Sequence, residues 1–189
     1  MAISLEGNEL RGGLVRRVVW GGALCLLLLP AVAMQFTDEM DWNGADFVAW
    51  GVMLGVACVA YEIAARFART NAYMVAAGLA VGGAFLTVWA NLAVGIIGNE
   101  NNPANRLFFG VVLFAIVGSL LVRIRAGGMA RVMAATGAVQ LAVCLYAWLA
   151  GLGAVFVYTA AMCLLWLAAS RLFRRAAGTG SGSLIMGDP

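Results

Sequence analysis

Long apolar runs, broken only by short polar turns, dominate the chain and limit what it can become. A helix needs about 20 apolar residues to cross a hydrocarbon layer of about 30 Å. Six stretches reach or approach that length: Val15 to Phe36, Ala45 to Ala65, Ala72 to Ile97, Leu107 to Val122, Met129 to Ala150 and Ala154 to Ser170. Apolar residues make up 63% of the sequence and charged residues 11%, too few charges to cover a water-exposed surface. The runs are continuous rather than alternating in ten-residue units, which excludes a strand-built barrel. The expected fold is all-α, a polytopic transmembrane bundle of about six spans.

The arginines orient that bundle, because cytoplasmic loops retain basic residues close to the helix ends. Arg11, Arg16, Arg17, Arg66, Arg69, Arg123, Arg125, Arg131, Arg171, Arg174 and Arg175 all fall on one side, and only Arg106 falls on the other. Asp38, Glu39, Asp41, Asp46 and Glu100 gather opposite the arginines. The reading places both termini in the cytoplasm. It gives a cytoplasmic N-terminal segment over 1–14, a single six-helix membrane domain over 15–173, and a flexible cytoplasmic tail over 174–189, where Gly and Ser accumulate after Ala176. Arg16 and Arg17 before a run ending in Pro30, Ala31, Val32 and Ala33 also fit a cleavable secretory signal. Retention is favoured because the run continues through Phe36. Net charge of +3 is spread over every inner loop rather than drawn into one basic stripe, so no nucleic-acid partner is expected.

A shift of 59 positions aligns Asp41 with Glu100, Asn43 with Asn102, Gly51 with Gly110 and Arg66 with Arg125. Parallel repeats build some transporters, but an Ala- and Val-rich chain gives matches of this quality by composition alone.

Glu62 is the one acidic residue set well inside an apolar span, a placement that costs a few kcal/mol unless the carboxylate is paired or hydrated. The plainer expectation is an intrahelical pair with Arg66 one turn on, with Arg66 reaching toward water. The sharper one is a protonation site for coupled transport. Thr87 and Asn91 form a polar stripe on the third span, and Thr136 and Gln140 form another on the fifth. Such residues ordinarily hold a bundle together by hydrogen bonds across helices, and alternatively they line a hydrophilic path. Gly51 with Gly55, and Gly78 with Gly82, supply small faces for close helix approach.

The densest polar segment reads N-E-N-N-P-A-N-R over 99–106. Asn102, Pro103 and Ala104 spell the tripeptide found in water channels, but those need two copies. A helix start, with Asn102 as N-cap and Pro103 in the first position, explains the triplet more simply. Asn99, Glu100 and Asn101, with Asp38, Glu39 and Asp41, carry oxygen ligands suited to a hard cation. An outer loop flanked by Trp42 and Trp50 reads more simply as a solvated loop with interfacial anchors, so no metal is expected.

There is no histidine, which removes His-ligated haem, the zinc-protease helix motif and His-activated nucleophiles. Cys25, Cys58, Cys144 and Cys163 lie in separate apolar runs with no C-x-x-C, which points away from disulfides and metal clusters. No catalytic residue, cofactor or enzymatic activity is expected.

The segments A-M-Q-F-T-D-E from Ala33 and N-L-A-V-G-I-I-G-N-E-N-N-P-A-N from Asn91 resemble those of a family of small, functionally uncharacterised bacterial inner-membrane proteins. The resemblance runs from the end of the first span to about the fifth. It implies a bacterial inner-membrane location and brings no activity, substrate or cofactor with it. The expected role is a non-enzymatic accessory or partner-binding subunit, lipid-embedded and joined to a membrane-protein partner or to copies of itself. The alternative is a small-solute or ion transporter with Glu62 as its proton-coupling site and Thr87, Asn91 and Gln140 along the path.

Overall fold

The computed structural model describes residues 2–37, 41–99, 101–152 and 155–182, with backbone alone over 2–14 and 180–182. The described residues form six α-helices and no strand: α1 (Ala2–Ala33), α2 (Gly44–Arg66), α3 (Asn71–Ala93), α4 (Arg106–Leu121), α5 (Ala126–Leu149) and α6 (Phe156–Gly182). A 3-10 turn, Pro103–Asn105, leads into α4. Each of the six helices, α4 taken together with the 3-10 turn before it, supplies a stretch long and apolar enough to cross a membrane.

The chain divides into two compact units, 1–62 and 63–189. Helix α1 includes residues 2–14, and α6 continues through Ala176 to Gly182 into the Gly- and Ser-rich stretch. The third span ends at Ala93 instead of Ile97, because the Val94 and Gly95 amides both turn back to the Ala90 carbonyl and Gly95 takes a left-handed φ of 71°. At such a φ a Cβ would crowd the following carbonyl, so glycine stops the helix cheaply.

In the first unit α1 and α2 are joined by side-chain-to-backbone bonds that the sequence explains. Pro30 lies inside α1 and has no N–H, so the Leu26 carbonyl one turn earlier loses its helical donor. Trp50 on α2 donates its Nε1 proton to that carbonyl at 3.0 Å. Gly51 faces Leu27 of α1, with room for a Cβ at an ordinary 3.5 Å from Leu27 Cδ1. The start of α2 carries a reciprocal cap. Asn43 Oδ1 accepts from the Ala45 and Asp46 amides at 2.7 and 3.3 Å, and Asp46 Oδ2 accepts from the Asn43 amide at 2.9 Å.

In the second unit α3 packs on α4 and α6, and α5 packs on the same two helices, which closes a four-helix ring. Thr70 starts α3 by accepting from the Tyr73 amide at 3.2 Å. Trp166, Phe108, Phe173, Ile97 and Met133 are completely buried. Gly83 makes room for the largest of these: a Cβ there would stand 3.2 Å from Trp166 Cη2 and 2.7 Å from Leu165 Cδ2. The expected small-residue faces are used differently, because Cβ atoms at Gly55 and Gly82 would meet nothing within 4 Å.

Both tight connections end their helices with the same six-to-one and five-to-two bonds. After α5, Leu152 N bonds Ala147 O and Gly151 N bonds Trp148 O, with Gly151 at φ 67°. After α4, Ile124 N bonds Ser119 O and Arg123 N bonds Leu120 O, but the left-handed positions are Arg123 at 52° and Ile124 at 57°. Non-glycine residues pay for that conformation, a β-branched one most of all. Tyr73 holds the turn by donating its hydroxyl to the Ile124 carbonyl at 2.6 Å, while its ring stands edge-on to Phe173 at 5.0 Å.

Candidate functional site

Three polar features stand out against this apolar frame. The first is Glu62, near the end of α2. Its Oε1 lies 3.2 Å from Arg16 Nε and accepts from Trp20 Nε1 at 2.7 Å, both on α1. The expected pairing with Arg66 is therefore replaced by one with Arg16. Helix α1 brings a cation and an indole donor to the same carboxylate, two partners where Arg66 would supply one. The side chains of Arg16 and Glu62 are 73% and 24% exposed on the surface of the helix pair. Arg66 is exposed on the last turn of α2.

The second feature is the loop from Val94 to Asn105, organised by a residue the sequence reading passes over. Asn105 is buried, and its carboxamide makes four bonds. Oδ1 accepts from the Ile96 and Ile97 amides at 3.0 and 2.7 Å. Nδ2 donates to the carbonyls of Ile97 at 3.4 Å and Asn99 at 2.7 Å. This ring of bonds turns Ile97 inward, where it is fully buried with Phe108, Cys144, Ala147 and Val155. Asn102 accepts from the Ala104 amide at 3.0 Å and caps the 3-10 turn that Pro103 begins. Asn99 Oδ1 accepts from the Asn101 amide at 3.1 Å. Glu100, Asp38 and Glu39, three of the acidic residues in the hard-cation reading, lie outside the described residues.

The third feature lies inside the four-helix ring. Thr87, Thr136 and Gln140 are completely buried, Thr159 is 2% exposed and Asn91 3%. Tyr158 donates its hydroxyl to Thr87 Oγ1 at 2.9 Å, and Thr87 donates in turn to the Gly83 carbonyl at 2.8 Å. Thr136 donates to the Val132 carbonyl of its own helix at 2.9 Å. Both polar atoms of Asn91, both of Gln140, and the Thr159 hydroxyl have no hydrogen-bond partner among the described residues. The Trp166 indole N–H has none either. Leaving such a group unpaired costs about 1–3 kcal/mol.

Cross-helix contacts set the levels of these residues. Thr87 touches both Tyr158 and Met162, and Cys163 Sγ reaches the Gly137 carbonyl at 3.5 Å. At a rise of about 1.5 Å per residue, Gln140 and Thr159 share the level of Thr87, and Asn91 lies about 6 Å nearer the Val94–Asn105 loop. The cluster around Ile97 and Phe108 caps the layer at that end. Trp166, packed between Gly83 and Gly137, floors it at the other.

The sequence stripes on α3 and α5 thus reach one interior layer. Only Thr87 makes the inter-helix bond expected of polar glue. The contribution of α6, through Tyr158, Thr159 and Trp166, was not anticipated, because these residues lie in a run that reads as uniformly apolar. The one available signal was the Tyr-Thr pair near the start of that run.

Fold and burial together define a multi-pass transmembrane α-helical protein. No protein-family model, curated protein or solved structure matches the chain.

Proposed function

We propose that the protein is a non-enzymatic accessory subunit of the bacterial inner membrane, with cytoplasmic termini, that binds a membrane-protein partner or further copies of itself. The observation that carries this reading is the engagement of Glu62 by Arg16 and Trp20. A carboxylate bonded to both a guanidinium and an indole holds two helices together, which favours a structural role for Glu62 over proton coupling. Support for the orientation comes from the second unit. The Tyr73 contacts gather the starts of α3 and α5 with Phe173 of α6, so Arg69, Arg123, Arg125, Arg171, Arg174 and Arg175 share one end of that bundle, the end expected to face the cytoplasm.

Native mass spectrometry of tagged protein, extracted from its own membrane in mild detergent, tests the proposal. A stoichiometric second protein or a defined homo-oligomer is expected. A bare monomer under conditions that preserve known membrane complexes would reject it.

A transporter or channel for a small solute, uncoupled from protons at Glu62, is the second reading. The unpartnered amides of Asn91 and Gln140 inside the bundle favour it. Solute flux into proteoliposomes that is unchanged by Glu62→Gln and lost in Asn91→Leu would establish it over the accessory role.

A further inference from the structure

We propose that the interior layer of Asn91, Gln140 and Thr159 is a binding site for a small uncharged molecule that both donates and accepts hydrogen bonds, such as a carboxamide or water. This inference is independent of the partner reading.

Two carboxamides and one hydroxyl are buried beyond nine-tenths in this layer, with none of their polar atoms bonded to protein. The neighbouring polar groups are already committed. Thr87 spends its proton on Gly83, Thr136 on Val132, and Tyr158 on Thr87. The protons still free nearby, on Thr159, Trp166 and the two carboxamides themselves, reach neither the Asn91 nor the Gln140 carbonyl among the described residues, so a molecule between these groups would serve as their common partner. Each carboxamide offers two N–H donors and a carbonyl acceptor, and a threonine hydroxyl does both. A ligand that only accepts, or only donates, satisfies half of such a set.

Charge is excluded by the same inventory. Among the described residues, the buried polar side chains are threonines, asparagines, a glutamine and a serine, with no ionised group. An ion there would meet no opposite charge and would bear its full desolvation cost. The residues at the two ends, Ile97 and Phe108 at one and Trp166 at the other, carry no charge either.

The test uses the full chain in nanodiscs. Saturation-transfer NMR is recorded with acetamide and with acetate, its charged isostere, and water-to-side-chain cross-relaxation is recorded for the Asn91 and Gln140 amide protons. Acetamide saturation without acetate saturation, weakened roughly tenfold in Asn91→Leu or Gln140→Met, supports the site with a solute occupant. Water cross-relaxation to both side chains without acetamide saturation supports it with water as occupant. Absence of both signals in the wild type overturns it, whether or not the variants fold. Equal saturation by acetate overturns the claim that the site is neutral.

Discussion

Trp50 reaches across from α2 to bond the Leu26 carbonyl, the acceptor that Pro30 leaves without a helical donor. The proline and the tryptophan form a matched pair, since the gap made by one is filled by the other. In a membrane, where no water competes for a backbone carbonyl, such a repair is worth keeping.

That pairing makes the two positions non-additive. Trp50→Phe is expected to cost about 1 kcal/mol in the native background. In a Pro30→Ala background the cost falls toward zero, because the alanine amide supplies the missing donor. Equilibrium unfolding in mixed micelles of the two single variants and the double variant measures the coupling; strictly additive costs would refute the repair.

Replacing Glu62 with glutamine keeps an oxygen for Trp20 and removes only a pair whose arginine side chain is 73% exposed. The expected loss is below about 1 kcal/mol, with unchanged membrane levels and phenotype. Glu62→Leu strands the indole donor as well and is expected to cost more. Quantitative immunoblotting alongside an unfolding titration distinguishes them, and a collapse of the glutamine variant would count against the structural assignment of Glu62.

Asn105 closes its loop with four bonds, so Asn105→Ala is expected to cost about 2–4 kcal/mol. Hydrogen exchange at the Ile96 and Ile97 amides should rise by more than tenfold. Asn105→Asp retains the acceptor but sets a buried carboxylate oxygen against the Ile97 and Asn99 carbonyls, and should cost at least as much as alanine. Unchanged exchange at Ile96 in the alanine variant would show that the loop is held by something else.

The left-handed turn between α4 and α5 is an opportunity for stabilisation. Arg123→Gly relieves a φ of 52° and is expected to raise stability by about 1 kcal/mol. Tyr73→Phe, which frees the Ile124 carbonyl, should lower it by a similar amount. Melting temperatures moving in the same direction for both variants would contradict this account.

Adjacent glycines on α3 give a test of helix rotation. Gly83→Ala drives a Cβ to 2.7 Å from Leu165 and is expected to destabilise by about 1–3 kcal/mol. Gly82→Ala meets open space and should be neutral or gain up to about 1 kcal/mol in helix propensity. Thermal denaturation of the two variants reads the difference, and a reversed order would place the wrong face of α3 in the core.

Six helices and their class were legible because membrane insertion depends on summed hydropathy, which survives errors of a few residues at each end. The end of α3 was not, because Val94 to Ile97 are apolar enough to continue a span. What stops the helix is the left-handed φ of Gly95 together with the distant grip of Asn105. The polar stripes on α3 and α5 could be drawn from helical spacing, yet spacing cannot say that Thr136 turns back on the Val132 carbonyl of its own helix while Gln140 has no partner among the described residues. Along the sequence Arg66 is the partner within reach of Glu62, and Arg16 becomes one only where two helices meet.

The hydroxyl chain inside the second unit has a direction. Tyr158 gives its proton to Thr87, and Thr87 gives its own to the backbone at Gly83. A relay that hands protons along must end on a group able to pass one onward, and a peptide carbonyl accepts without releasing. The chain is thus a dead end for hopping charge, a structural tie between α3 and α6 rather than a proton wire.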